Sequence, residues 1–316
     1  MTRADTAFSR LRGPVVPLNI CFNDDGTVDY ASVCNYVDWL CTQKAPVILL
    51  TYGSTEFTWL TDEDLWELTA AVGRAIDGRS LYVTSTGFWP VRKARQFLEH
   101  ADAAGADAVK VQISGWDAPS AAVIKAYFDD LGSAGTDIPM LMWWHPVRHF
   151  PMLPPDLAQT FIELAKRPDI IGIKNDGDAF YDYYTLARGM SESNCAVVSG
   201  GLMRNFLTGY PHGSPAYLCP IAPFCPQIAN QFYDHVCNGR TDEAWDIVYK
   251  YEDPLMHVAQ SVNWLVLMKS AVMILGFYPN NRVGNPTQMC ATGEELEKIR
   301  SVYSDLFGLA TASSSS

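Results

Sequence analysis

Eight short apolar or β-branched runs recur down this chain, and their spacing limits the fold more than any other feature. They are "VVPLNICF" (15–22), "PVILLTY" (46–52), "LYVTST" (81–86), "DAVKVQI" (107–113), "PMLMWW" (139–144), "IIGIK" (170–174), "CAVVSG" (195–200) and "PAYLCP" (215–220). Each is one strand long, and the intervals of about 30 residues, tightening to about 20 near the end, leave room for a helix in every gap. That rhythm predicts an α/β fold, a (β/α)8 TIM barrel of the usual size. A doubly wound open sheet fits less well, because no G-x-G-x-x-G follows the first run.

The gaps carry helix signals. "DYASVCNYVDWLC" puts Val33, Tyr36, Val37 and Leu40 on one face. "TDEDLWELTAAVGRAI" opens with Thr61 as N-cap and Asp64 three residues on, a capping-box arrangement, and turns Leu65, Leu68 and Val72 inward. "KARQFLEHADAAGAD" stops at Gly105, suited to a left-handed helix end. After about Pro226 only helices remain: Ile228, Phe232 and Val236 align before Gly239, and Ala244, Ile247, Val248 and Tyr251 align after it. The expected division is a barrel over 1–225 and a C-terminal helical extension over 226–316, ending in a frayed "TASSSS" tail.

Composition narrows the function. A 316-residue chain with 48% hydrophobic and 18% charged residues matches a globular enzyme, and a net charge of −12 argues against a nucleic-acid partner. The basic knot Arg92–Lys93–Arg95 falls in a helical pattern and reads as a solvated face. The start lacks a signal peptide's apolar core, and no run reaches the length of a membrane span, so a cytoplasmic location without membrane attachment is expected. The eight cysteines sit mostly in apolar stretches with no C-x-x-C pair and no histidine at zinc-like spacing; they read as reduced core residues, with no metal.

In such a barrel, chemistry gathers at the C-terminal ends of the strands. Lys174 closes "IIGIK", where a partly desolvated ammonium would stand at the mouth. Desolvation favours the neutral amine of a lysine, the form that attacks carbonyls to make a Schiff base. The alternative is a lysine that is solvated or paired with Asp176. The second run leads into "TYGSTEF", whose glycine and two hydroxyl residues, Ser54 and Thr55, suit a carboxylate or phosphate, or else bond their own backbone. "VVSGG" supplies another strand-end glycine, Gly200.

Taken in order, "PLNICFNDDGTVD", "GSTEFTWLTDED", "AGADAVKV", "HPVR", "IIGIK", "VVSGG" and "CNGRTDEAW" resemble the dihydrodipicolinate synthase and N-acetylneuraminate lyase family of pyruvate-type aldolases. The resemblance implies a homotetramer, or a homodimer, that needs no metal or organic cofactor and acts on a small 2-oxo acid. It places the Schiff-base lysine at Lys174, the carboxylate-holding hydroxyl pair at Ser54 and Thr55, a pocket glycine at Gly200 and an arginine for a second anion at Arg148.

Three positions depart from the family pattern. The proton-moving tyrosine expected three residues before Pro146 is Trp143, and a second relay tyrosine is matched by Trp116. An indole N–H donates a hydrogen bond but does not act as an acid or base near neutral pH. The glycine expected between Thr55 and Glu56 is missing. Replacement proton carriers are His145, Glu56 and Tyr52, with His149 weaker. Trp143 and Trp144 together would make a larger, more apolar pocket, suited to an aromatic or bulky acceptor or a different 2-oxo acid. The chain is therefore expected to be a Schiff-base lyase other than a standard dihydrodipicolinate synthase. The competing reading is a catalytically silent barrel that binds a metabolite or partner; a metal-dependent hydrolase ranks third.

Overall fold

The eight runs become eight parallel strands, each hydrogen-bonded to the next and the last to the first, in a computed structural model that describes residues 1–113, 120–146, 152–177, 180–284 and 290–309. They are β1 (Gly13–Pro17), β2 (Val47–Leu49), β3 (Leu81–Ser85), β4 (Ala108–Lys110), β5 (Met140–Trp144), β6 (Ile170–Asn175), β7 (Ala196–Ser199) and β8 (Ala216–Leu218). Helix α1 (Arg3–Arg10) precedes the barrel. The first seven strands are followed by α2 (Tyr30–Thr42), α3 (Asp62–Ile76), α4 (Val91–Ala103), α5 (Ala121–Leu131), α6 (Pro155–Leu164), α7 (Tyr181–Gly189) and α8 (Met203–Gly209). The chain is a (β/α)8 barrel, as its spacing predicts.

The strands are shorter than the apolar runs. Beyond Pro17 the first run leaves the sheet, and Phe22 makes an isolated antiparallel bridge with Val28. Apolarity there marks burial under the C-terminal helices: the Tyr278 hydroxyl donates to the Asn19 carbonyl at 2.6 Å. Inside the barrel, Val47, Leu49, Val83, Ala108, Leu141 and Val198 form a plug with Ala7 and Leu11, so α1 and the residue after it close the floor. Thr2 caps α1 through a reciprocal bond pair with Asp5. Outside the barrel, helices and strands share a second, larger cluster.

The expected caps form. Thr61 Oγ1 accepts from the Asp64 amide at 3.1 Å while Asp64 accepts from the Thr61 amide, and α4 ends before Gly105 at φ +80°. Val33, Tyr36, Val37 and Leu40 are all fully buried. The helical rhythm after β8 begins with α9 (Pro226–Cys237), which packs on β1 and completes the ring of barrel helices. Beyond it lie α10 (Thr241–Ile247), α11 (Asp253–Val258), α12 (Trp264–Ile274) and α13 (Gly293–Phe307). Their buried residues belong to the same cluster as the outer barrel wall.

Two buried carboxylates tie these helices to the mouth. A π-helical turn, Val248–Glu252, joins α10 to α11 and delivers the fully buried Glu252 to the N-terminus of α8. There it accepts from the Met203 amide, the Arg204 amide at 3.2 Å and Arg204 Nε at 3.1 Å, pairing a negative charge with free N–H groups as the helix dipole favours. Glu56, just after the second strand's hydroxyl pair, forms an ion pair with Lys269 of α12.

Five of the eight cysteines are buried, but Cys237 and Cys290 are exposed, which corrects the reading of all of them as core residues. Cys237 ends an amphipathic helix on its solvent side, a position that spacing between cysteines cannot reveal. Among the described residues, no helix is long and apolar enough to cross a membrane.

Candidate active site

Side chains on a strand alternate between faces, so the residue two beyond each plug residue faces the interior one step nearer the mouth. From Ala108 that residue is Lys110, and from Leu141 it is Trp143. On β6, Gly172 faces Leu11 and Leu141 in the plug, and Lys174 follows it. Trp143 is in register with Lys174, and Lys110 with Leu141, so three adjacent strands bring two lysines and an indole together.

Lys174 has a side chain only 5% exposed, and its Nζ donates to both carboxylate oxygens of Asp176. Trp143 Nε1 donates to the same carboxylate at 2.5 Å. The lysine is thus both buried at a strand end and paired with Asp176. His145 stacks on Trp143 with ring centroids 5.3 Å apart, and its Nδ1 stands 4.0 Å from Asp176 Oδ2. Partial desolvation holds the imidazole below its ordinary pKa; Asp176 pulls the other way, and Lys174 and Lys110 reinforce the drop.

Gly200 has a steric reason to be glycine. A Cβ there would lie 2.1 Å from Asp176 Oδ1 and 2.4 Å from the Asn175 carbonyl, whose oxygen accepts from the Gly200 amide at 2.7 Å. Asp176 and Gly200 also border a cavity of about 200 Å³, together with Asn175, Ser199 and Asn205.

The hydroxyl pair divides. Thr55 is fully buried; its Oγ1 donates to the Leu18 carbonyl at 2.8 Å and accepts from the Thr51 amide at 3.0 Å. Ser54 is half-buried, its carbonyl held by Asn19 Nδ2 at 3.3 Å, and its hydroxyl has no partner among the described residues. Where the family pattern has a glycine, Glu56 itself takes the left-handed conformation at φ +58°. Its carboxylate pairs with Lys269 and accepts from the Gly284 amide at 2.7 Å, which removes it from the proton carriers.

Trp144 corrects the reading of two tryptophans in the pocket. One residue on from Trp143, it points outward, buried, and donates to Asp182 of α7 at 3.0 Å. The aromatic wall of the mouth is built from other strands. Tyr52 and Phe88 lie 4.9 Å apart, and each is 6.0 Å from Trp143. Burial raises the Tyr52 phenol pKa. Phe88 follows β3 in "TGFW", a signal the run-by-run reading passed over. Arg148, His149 and Trp116 lie outside the described residues. Among the described residues, no group of three His, Cys, Asp or Glu could hold a metal ion.

Lys110 is the residue that sequence reasoning missed. It is fully buried, its Nζ has no hydrogen-bond partner among the described residues, and it stands 4.6 Å over the Trp143 ring. Burial drives its pKa well below the ordinary lysine value; the Lys174 charge adds to the drop and Asp176 opposes it. The available signal was a lysine in the middle of the apolar run "AVKV".

A closed barrel with a buried lysine–carboxylate pair at the end of β6 defines a lysine-bearing (β/α)8 barrel with its polar groups at the mouth. The family model described as the dihydrodipicolinate synthetase family matches residues 10–304, and the chain belongs to that family. Relatives include the 4-hydroxy-tetrahydrodipicolinate synthases of Gluconacetobacter diazotrophicus, 23% identical over 75% of this chain and 78% of that one, and of Mycobacterium leprae, 23% identical over 88% and 89%. Among solved structures, dihydrodipicolinate synthase from Aquifex aeolicus superposes with a TM-score of 0.82 at 20% identity, covering 95% of this chain and 99% of that one. YagE of Escherichia coli K12, a family member solved in complex with pyruvate, gives 0.80 at 19% identity, with the same coverage. Membership supports a lyase of the pyruvate-dependent, Schiff-base aldolase type.

Proposed function

We propose that this chain is a Schiff-base lyase acting on pyruvate or another 2-oxo acid through Lys174, by aldol cleavage or condensation or by dehydration. The observation that carries the reading is the buried Lys174 held by Asp176, which also accepts from Trp143. Asp176 takes a proton from the Lys174 ammonium, and the freed amine attacks the 2-oxo carbon. Loss of the carbonyl oxygen as water leaves an iminium, whose conversion to an enamine makes or breaks the bond at the neighbouring carbon. Ser54, whose hydroxyl has no partner among the described residues, holds the substrate carboxylate, and Thr55 fixes the loop that presents it. Gly200 gives Asp176 its room, and Arg148 serves a second anionic group.

The reaction differs from that of a standard dihydrodipicolinate synthase, because Trp143 stands at the relay tyrosine's position and carries no transferable proton near neutral pH. The Tyr52, Phe88 and Trp143 wall favours an aromatic or bulky acceptor. Incubation with pyruvate and borohydride, followed by peptide mass spectrometry, is expected to give an adduct on Lys174 that Lys174→Ala abolishes. The absence of an adduct with pyruvate and a panel of 2-oxo acids would overturn this reading and favour a binding role. Without borohydride, aromatic aldehydes should be consumed by the Lys174 enamine formed from pyruvate; indifference to them would refute the bulky-acceptor assignment.

A further inference from the structure

The chemistry proposed for Lys174 leaves a proton unaccounted for. A lysine ammonium that becomes an iminium gives up two protons, and both must reach the oxygen that departs as water. Asp176, bonded to Lys174 Nζ, takes the first. The indole that replaces the relay tyrosine cannot take the second.

We propose that Lys110 is a second catalytic lysine, which carries the other proton from the Lys174 nitrogen to the departing oxygen. The proposal rests on the Schiff-base reading of Lys174. In the resting site, full burial without a counter-charge or acceptor among the described residues favours the neutral amine of Lys110. When the Lys174 nitrogen bonds the 2-oxo carbon, the carbonyl π pair moves to oxygen, and that oxygen collects the proton held by Asp176. The nitrogen, now positively charged, passes a proton to the Lys110 amine. Lys110, as ammonium, returns it to the carbinolamine hydroxyl. The carbon–oxygen bond breaks, water leaves, and the nitrogen lone pair closes the C=N bond. Asp176 ends as carboxylate and Lys110 as amine, so the step balances without another reactant.

Four observations carry the assignment. Lys110 shares the interior face with the plug residue Ala108, and its strand neighbour β5 presents Trp143 in register with Lys174. Its amine has no acceptor among the described residues, although it is fully buried. A buried ammonium without a counter-charge is costly, so packing alone would favour leucine or methionine here. Two residues on, Gln112 Oε1 is also buried and unpartnered, so the end of β4 offers a donor and an acceptor that nothing among the described residues satisfies. The other candidates fare worse: Glu56 is locked to Lys269, and His145 is 56% exposed and stacked on the far partner of Asp176.

The test follows the rate of borohydride-trapped pyruvate adduct against pH in the full-length protein and in Lys110→Met, Lys110→Ala and Tyr52→Phe. The native protein should trap on Lys174, with a rate that falls as pH drops and Lys110 takes up a proton. Lys110→Met should still trap on Lys174, but 10²- to 10⁴-fold more slowly, the loss typical of a missing general acid–base group, and without that acid limb. Methylamine or ethylamine should restore part of the rate to Lys110→Ala, which a purely structural role would not allow. An unchanged rate and pH profile in Lys110→Met overturns the proposal while leaving Lys174 in place; so does the same loss appearing in Tyr52→Phe instead. An adduct on Lys110 in place of Lys174, or none in the native protein, overturns the Schiff-base reading as well.

Discussion

The ion pair between Glu56 and Lys269 can be cut from either side, and the structure sets what each cut should cost. The two side chains are 0% and 1% exposed, so neither charge can turn to water when its partner is lost. Removing one partner of such a pair leaves a buried uncompensated charge, at about 3–5 kcal/mol for Glu56→Leu and the same for Lys269→Met. Replacing both with apolar residues is different, because such swaps run from neutral to about 1–4 kcal/mol stabilising. Against that gain, the double variant orphans the Gly284 amide, which donates to Glu56 at 2.7 Å, and the Arg282 carbonyl, which accepts from Lys269 at 2.6 Å. At about 1–3 kcal/mol for each orphan, the net cost of the double variant is about 1–2 kcal/mol, far below the sum of the single ones. Equilibrium unfolding in guanidinium across the four proteins measures this directly, and the coupling, the sum of the single costs less that of the double variant, should be about 4–9 kcal/mol. Additive costs, or single losses below about 1 kcal/mol, would refute the claim that the two charges answer each other. The same variants should weaken 2-oxo acid binding, since Glu56 anchors the segment that carries Ser54.

Three further outcomes follow from the geometry. Gly200→Ala should abolish adduct formation on Lys174, measured by borohydride trapping, because its Cβ would lie 2.1 Å from Asp176 Oδ1 and displace it. Thr61→Ala should cost about 1 kcal/mol in unfolding measurements without altering trapping, since it removes only the cap of α3. Lys110→Met should be more stable than the native protein at neutral pH. The native-state pKa of Lys110 is depressed, so between that pKa and the unfolded value of about 10.4 the unfolded chain holds more protons, and native stability falls as pH is lowered. Denaturant midpoints compared at several pH values should therefore converge near pH 10 and separate towards neutrality; a constant gap would contradict a neutral Lys110.

The barrel was legible because burial on both faces writes each strand as an apolar run, and the capping pair Thr61 and Asp64 and the stop at Gly105 form as their chemistry requires. Apolarity reports burial and not pairing, so the first run, read to residue 22, leaves the sheet after Pro17. Helix α1 went unread because it is short and buries little of its own surface. At the site, Lys174 and Gly200 could be found from strand ends. Trp144 was misplaced by treating two adjacent tryptophans as one feature, when alternation sends them to opposite faces. Lys110 and the shared role of Asp176 depend on which strands are neighbours and in what register, information that no single segment contains.

The buried Glu252 has a consequence for how this protein can be recombined with its relatives. Its carboxylate, carried by the turn between α10 and α11, receives the first amides of α8, and that helix begins three residues after Gly200. A chimera that takes its barrel from one parent and its terminal helices from another would therefore bring a foreign acceptor to the segment against which Asp176 rests. The smallest piece that can be exchanged without disturbing the mouth includes residues 200–204 and Glu252 together, although about fifty positions separate them in the chain.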